Sequence, residues 1–121
     1  MNEIESIRFE QIPTSTHPAT APALAIYEAA FPLSEQIPRP KVEERIDQGI
    51  YQLWVGQRGE EVLFMAILYS LRDSDLMLLG YIATHPQARN QGIGSRFFKQ
   101  VIERLQEGDR YLLLEVELPT P

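Results

Sequence analysis

A chain of 121 residues has room for one hydrophobic core of ordinary size, and 44% hydrophobic with 23% charged residues is the balance of a globular rather than a disordered protein. Its formal net charge of −6, from seventeen acidic and eleven basic side chains, repels polyanions and excludes nucleic-acid binding through a broad basic face. The lack of cysteine excludes disulfides and thiolate metal sites, and two histidines, His17 and His85, make no protein-only zinc site unless carboxylates complete it, so no metal is expected.

The N-terminal MNEIES has neither the basic nor the apolar region of a secretion signal, and no apolar run is long enough to cross a bilayer. One cytoplasmic domain over residues 1–121, without membrane contact, is therefore expected. Residues 6–12 alternate apolar and polar side chains, as a half-buried strand does. A Pro- and Thr-rich loop over 12–22 leads to a helix over 23–31, built of strong helix formers and stopped by Pro32. Residues 33–40 read as a loop, and 41–49 as a short helix with Gly49 as its stop.

The period then changes. Residues 51–57 and 61–71, joined by the turn at 58–60, predict a β-hairpin, because β-branched and aromatic residues flank a glycine turn. The polar turn 72–75 leads to 76–84, a nearly unbroken apolar strand of the kind buried on both faces. A loop over 85–94 opens a helix from about Ser95 to Gln106, with apolar positions 97, 98, 101, 102 and 105 on one face and Gly108 as its end. Residues 111–118 form the last predicted strand. The order is β-α-α-β-β-β-α-β, and the strand–helix–strand unit over 76–118 predicts a right-handed crossover with a parallel pair. Three antiparallel strands before that pair make a mixed α/β sheet, not a doubly wound one.

The stretch 89–94, Arg-Asn-Gln-Gly-Ile-Gly, stands where a strand gives way to a helix. Helix starts carry unpaired N–H groups and partial positive charge, and glycines there let a phosphate approach the backbone. Gly92 and Gly94 supply that clearance and Arg89 a charge-assisted contact, within a basic group that includes Arg96 and Lys99. Two better-known fingerprints fail here: a dinucleotide loop needs glycine where Phe97 stands, and a nucleoside-triphosphate loop needs Gly-Lys-Ser/Thr in place of Gly94-Ser95-Arg96. Taken alone, two glycines at such a turn are equally compatible with a purely structural helix start.

The run 79–105, LGYIATHPQARNQGIGSRFFKQVIERL, resembles the core signature of the GNAT superfamily of acyl-coenzyme-A-dependent N-acetyltransferases. That signature is a strand ending in a His-Pro or Asp-Pro turn, then Arg/Gln-x-x-Gly-x-Gly/Ala, then an amphipathic helix. His85 and Pro86 fill the turn, and Arg89, Gly92 and Gly94 the motif. The element order also matches the family's, from its first strand to its fifth. The match is sharp over residues 76–107 and topological before them.

The resemblance implies a GNAT-like fold with acetyl-CoA as co-substrate. The backbone of Asn90, Gln91, Gly92, Ile93, Gly94 and Ser95, with Arg89, would bind the pyrophosphate. The strand end Ile82, Ala83 and Thr84 would meet the pantetheine arm, with the Ile82 N–H polarising the thioester carbonyl. The acceptor it implies is a primary amine on a small molecule or peptide. A non-catalytic CoA-binding or dimerisation domain derived from such an enzyme is the alternative.

Some family members carry a catalytic carboxylate four residues before the position of Ile82, where this chain has Leu78. A base must come from elsewhere, because only a neutral amine is nucleophilic. Glu115 and Glu117 share one face of the last strand and are candidates, although solvated or edge-protecting carboxylates look the same in sequence. The family's further helix, its thiolate-protonating tyrosine and two more strands have no counterpart by Pro121, so the fold is expected to lack them. Tyr69, Tyr81 and Tyr111 lie on strands and read as packing residues, Trp54 as core and His85 as a turn residue. Strand 111–118, apolar and free of lysine, is an edge that a second copy would cover, which predicts a homodimer. Glu35, in the segment where the family recognises its acceptor, is a candidate for binding a cationic amine.

Overall fold

The computed structural model describes residues 7–70, 76–108 and the strand backbone at 111–113. In chain order it contains β1 (Ile7–Ile12), α1 (Thr20–Ala30), a 3₁₀ turn at Leu33–Glu35, α2 (Arg39–Asp47), β2 (Tyr51–Arg58) and β3 (Glu61–Ser70). There follow β4 (Leu76–Thr84), a 3₁₀ turn at Pro86–Ala88, α3 (Ile93–Glu107) and β5 (Tyr111–Leu113). This is the order the sequence predicts. β1 to β4 are antiparallel neighbours, and β5 joins β4 in parallel, with Leu76 opposite Tyr111 and Leu78 opposite Leu113. The crossover through α3 thus yields the expected parallel pair. The polar turn 72–75 and the strand residues beyond 113 lie outside the described residues.

All three helices begin two or three residues earlier than expected, two of them for one physical reason. The first turn of a helix has no intrahelical use for its N–H groups, so proline fits there. Pro22 lies in the first turn of α1 and Pro40 in that of α2, where the sequence pattern had placed loop. Gly94 likewise lies inside α3, whose N-cap is Gly92. α2 ends as expected at Gly49, with the Ile50 N–H donating to the Arg45 carbonyl at 2.9 Å.

The sheet is sandwiched between two apolar layers. On one face Ala23, Leu24 and Tyr27 of α1 and Val42 and Ile46 of α2 pack on Leu53, Val55, Met65 and Ile67. On the other, Ile93, Phe97, Val101 and Leu105 of α3 pack on Phe9, Trp54, Phe64 and Leu68. Trp54 is core, as expected. Ile102 is 38% exposed, so the apolar stripe of α3 is narrower than its sequence suggests. Filling both faces explains why β3 is apolar almost throughout.

Two bulges adjust which side chains face which layer. Gln57 pairs with Val62 and Gly56 with Phe64, so Leu63 is the extra residue and both Leu63 and Phe64 join the α3 side. On β4, Leu79 pairs with Leu68 and Tyr81 with Ile67, leaving Gly80 unmatched. An extra residue reverses the alternation beyond it. Met77 and Leu79 face α3, while Tyr81 faces the α1 layer.

Candidate functional site

The turn after β4 is held from below and open above. Ala88 and Ile93 are buried against the α3 side of the sheet, which pins both ends of the loop between them. The His85 N–H donates to the Leu63 carbonyl at 2.7 Å, and its Nδ1 accepts from the Gln87 N–H at 3.1 Å. His85 is therefore a capping residue of the 3₁₀ turn, as its position before Pro86 suggests. Asn90 and Gly92 both have positive φ, 65° and 73°, a conformation that asparagine and glycine tolerate best. Together they turn the chain from the loop into α3.

Among the described residues no side chain caps α3, so its first N–H groups, from Ile93 to Ser95, have no acceptor within the helix. Among the described residues a Cβ on Gly94 would meet nothing within 4 Å, and its φ is not positive, so no contact there requires glycine. A glycine there leaves the backbone N–H groups of the helix start open to a phosphate. The residues present therefore fit a coenzyme A diphosphate.

Gly94 lines a cleft of about 490 Å³ with Ile82, Ala83, Thr84, Arg89 and Asn90. Six of the residues singled out in sequence thus meet around one space. The others stand differently. Ile93 is buried, leaving only its backbone for a ligand. The Gln91 side chain is taken by Arg58, which donates to it at 3.3 Å and draws the end of β2 to the loop. Gly92 and Ser95 flank the helix start. Arg96 and Lys99 line a separate groove with Gln100 and Glu103, so the basic group seen in sequence divides, and among the described residues Arg89 is the cation that lines the cleft. The carboxylates Glu115 and Glu117 lie outside the described residues. Leu78 is 8% exposed and apolar, and its side chain can accept no proton.

Three lining residues were not legible in the motif: Ala30 and Phe31, from the end of α1, and Phe64. Phe31 also lines a second cleft, about 690 Å³, with Glu35, Ile37, Arg45, Tyr51, Tyr69, Gly80 and Tyr81. The two clefts adjoin along β4, Gly80 and Tyr81 belonging to one and Ile82 to Thr84 to the other. Glu35 sits in this second cleft, where its predicted segment lies.

That segment is ordered by side chains whose roles only the fold reveals. Gln36 donates to the Glu28 and Phe31 carbonyls at 2.9 and 2.6 Å, capping the end of α1, and the Tyr27 hydroxyl accepts from the Ile37 N–H at 2.7 Å. The Tyr81 hydroxyl donates to the Glu35 carbonyl at 3.2 Å, and its ring packs edge-on against Tyr27 and Phe31. Burial above all, then hydrogen bonding to Tyr27, pushes the Tyr81 phenol up to about 12. It stays protonated at neutral pH and cannot serve as a base.

The Acetyltransferase (GNAT) family model matches residues 20–120. The chain belongs to this family. Solved GNAT-fold structures agree in architecture. An aminoglycoside acetyltransferase from an uncultured soil metagenomic sample, in complex with sisomicin, superposes with a TM-score of 0.80 at 15% identity, over 96% of this chain and 81% of that one. A ribosomal-protein-alanine N-acetyltransferase from Brucella melitensis biovar Abortus 2308 gives 0.72 at 16%, over 92% and 80%. A GNAT family acetyltransferase from Elizabethkingia anophelis with acetyl-CoA bound gives 0.66 at 18%, over 91% of this chain and 65% of that one. At these identities the likeness is one of fold. No curated protein matches the GNAT chain in sequence.

Proposed function

We propose that this GNAT chain transfers an acetyl group from acetyl-CoA to a primary amine by direct attack in a ternary complex. The observation that carries the reading is the cleft in which Ile82, Ala83, Thr84, Arg89, Asn90 and Gly94 meet, with a glycine at the helix start that the chain's own packing does not need. Acetyl-CoA supplies a thioester whose acetyl carbon takes the amine and whose sulfur leaves.

In this reading the N–H groups at the start of α3 and the Arg89 guanidinium hold the diphosphate, and the end of β4 aligns the pantetheine arm. The Ile82 N–H donates to the thioester oxygen as negative charge builds there. The acceptor arrives as an ammonium and gives up one proton before attack, to Glu115, Glu117 or a water chain. It gives up a second once the C–N bond has formed, and the departing sulfur takes up one. Glu35 stands in the adjoining cleft, where a positively charged acceptor would meet it. A second copy of the chain covering residues 111–118 completes the proposal.

Thermal-shift titration tests it. Acetyl-CoA at a hundred times its Kd should stabilise the protein by about 2.7 kcal/mol. Gly94→Glu should remove that gain without a folding defect, because its Cβ meets nothing within 4 Å. No stabilisation at millimolar acetyl-CoA would overturn the cofactor assignment. Stabilisation without thiol release from any amine would identify instead a non-catalytic CoA-binding domain.

A further inference from the structure

Among the described residues, the second cleft holds a cation without an acidic partner. Arg45 donates to the Tyr51 hydroxyl at 2.6 Å, and its guanidinium carbon lies 5.3 Å from the centre of that ring. The basic neighbours Arg39 and Lys41 are paired with Glu28 and Glu44, but among the described residues no carboxylate lies within 4.0 Å of Arg45. A guanidinium has five donors in a planar fork, and Tyr51 takes one. The side chain is only partly exposed, and it lines the cleft of about 690 Å³. Its place is fixed: α2 is closed by the Ile50 N–H on the Arg45 carbonyl, and Tyr51 is packed against Tyr69 with ring centres 5.9 Å apart.

The cleft is therefore lined by two opposite charges and by aromatic rings. Arg45 stands on the α2 side. Glu35 stands on the β4 side, its backbone tied to Tyr81, one residue from Ile82. Phe31, Tyr51, Tyr69 and Tyr81 line it with them. We infer that the acceptor is a small amine that also carries a carboxylate, of the amino-acid class, with its carboxylate on Arg45 and its ammonium toward Glu35 and the end of β4. A planar guanidinium matches a carboxylate with two parallel N–H bonds. The same charge opposes a polycationic acceptor. This inference rests on the reading of the neighbouring cleft as the acetyl-CoA site.

The test uses the proteinogenic α-amino acids and several ω-amino acids, each beside its carboxamide, and one aminoglycoside as polycation. Binding in the presence of CoA is read by ligand-observed NMR, and turnover by thiol release from acetyl-CoA. At least one acid should bind about ten- to a hundredfold more tightly than its amide, the range of a charge-assisted pair. Arg45→Gln should bring that ratio close to one, Arg45→Lys should keep part of it, and both variants should keep the thermal shift with acetyl-CoA. If Arg45→Gln does not fold, the ratio in the unaltered protein and in Arg45→Lys decides. Equal binding of acids and amides, binding of none of the acids, or an equal loss for both on Arg45→Gln would overturn the inference. A failure of the acetyltransferase reading looks different: no stabilisation by acetyl-CoA and no thiol release with any amine.

Discussion

Tyr81 shows how much a single residue's role depends on what surrounds it. On sequence it is one strand tyrosine among several, and packing was the expectation. It does pack, against Tyr27 and Phe31, but its hydroxyl also fixes the Glu35 backbone at the mouth of a cleft. Its raised pKa has a sign that can be checked. Below pH 10 both folded and unfolded chains hold the proton, and the stability that this environment confers is fully present. As pH rises from the ordinary 10.0 toward about 12, the unfolded chain ionises first and that stability is lost. Ultraviolet titration of phenolate absorbance should show one tyrosine ionising near pH 12, and Tyr81→Phe should abolish that component and flatten the alkaline fall in stability.

At the scale of elements, two glycines with opposite surroundings give opposite expectations. Gly80 is the extra residue of the β4 bulge, and a Cβ there would lie 3.0 Å from Cε1 of Tyr69. Gly80→Ala makes that ring give by a few tenths of an ångström and should lower stability by up to about 1 kcal/mol. Gly94, in the first turn of α3, has open space where its Cβ would be. Gly94→Ala should raise stability by up to about 1 kcal/mol from helix propensity alone. Urea denaturation of the two variants measures both changes. Equal losses would mean that Gly94 is held by contacts inside the chain rather than by a ligand. The bulge matters beyond stability, because by reversing the alternation it turns Tyr81 toward α1.

For the whole molecule, the edge strand sets the expectation about assembly. β5 pairs with β4 through Tyr111 to Leu113, and the chain's apolar residues continue to 118. Light scattering should give about twice the 13.9 kDa chain mass, and a monomer at every concentration would remove the proposed homodimer. The element order, the parallel crossover and the glycine loop were legible in the sequence because each rests on local rules: side-chain period, turn chemistry and the geometry of a helix start. Helix starts at Thr20 and Arg39 were missed because proline breaks helices only past their first turn. Arg45 and Gln36 carried no signal at all, since neither belongs to a motif and their partners, Tyr51 and the end of α1, meet them only after folding. By itself, then, the sequence determined the mixed sheet and the loop that opens α3. Only the tertiary structure decided that the basic group divides between two grooves, that a bulge redirects β4, and that a charged, aromatic cleft adjoins the loop, because those outcomes depend on register and on contacts between distant segments.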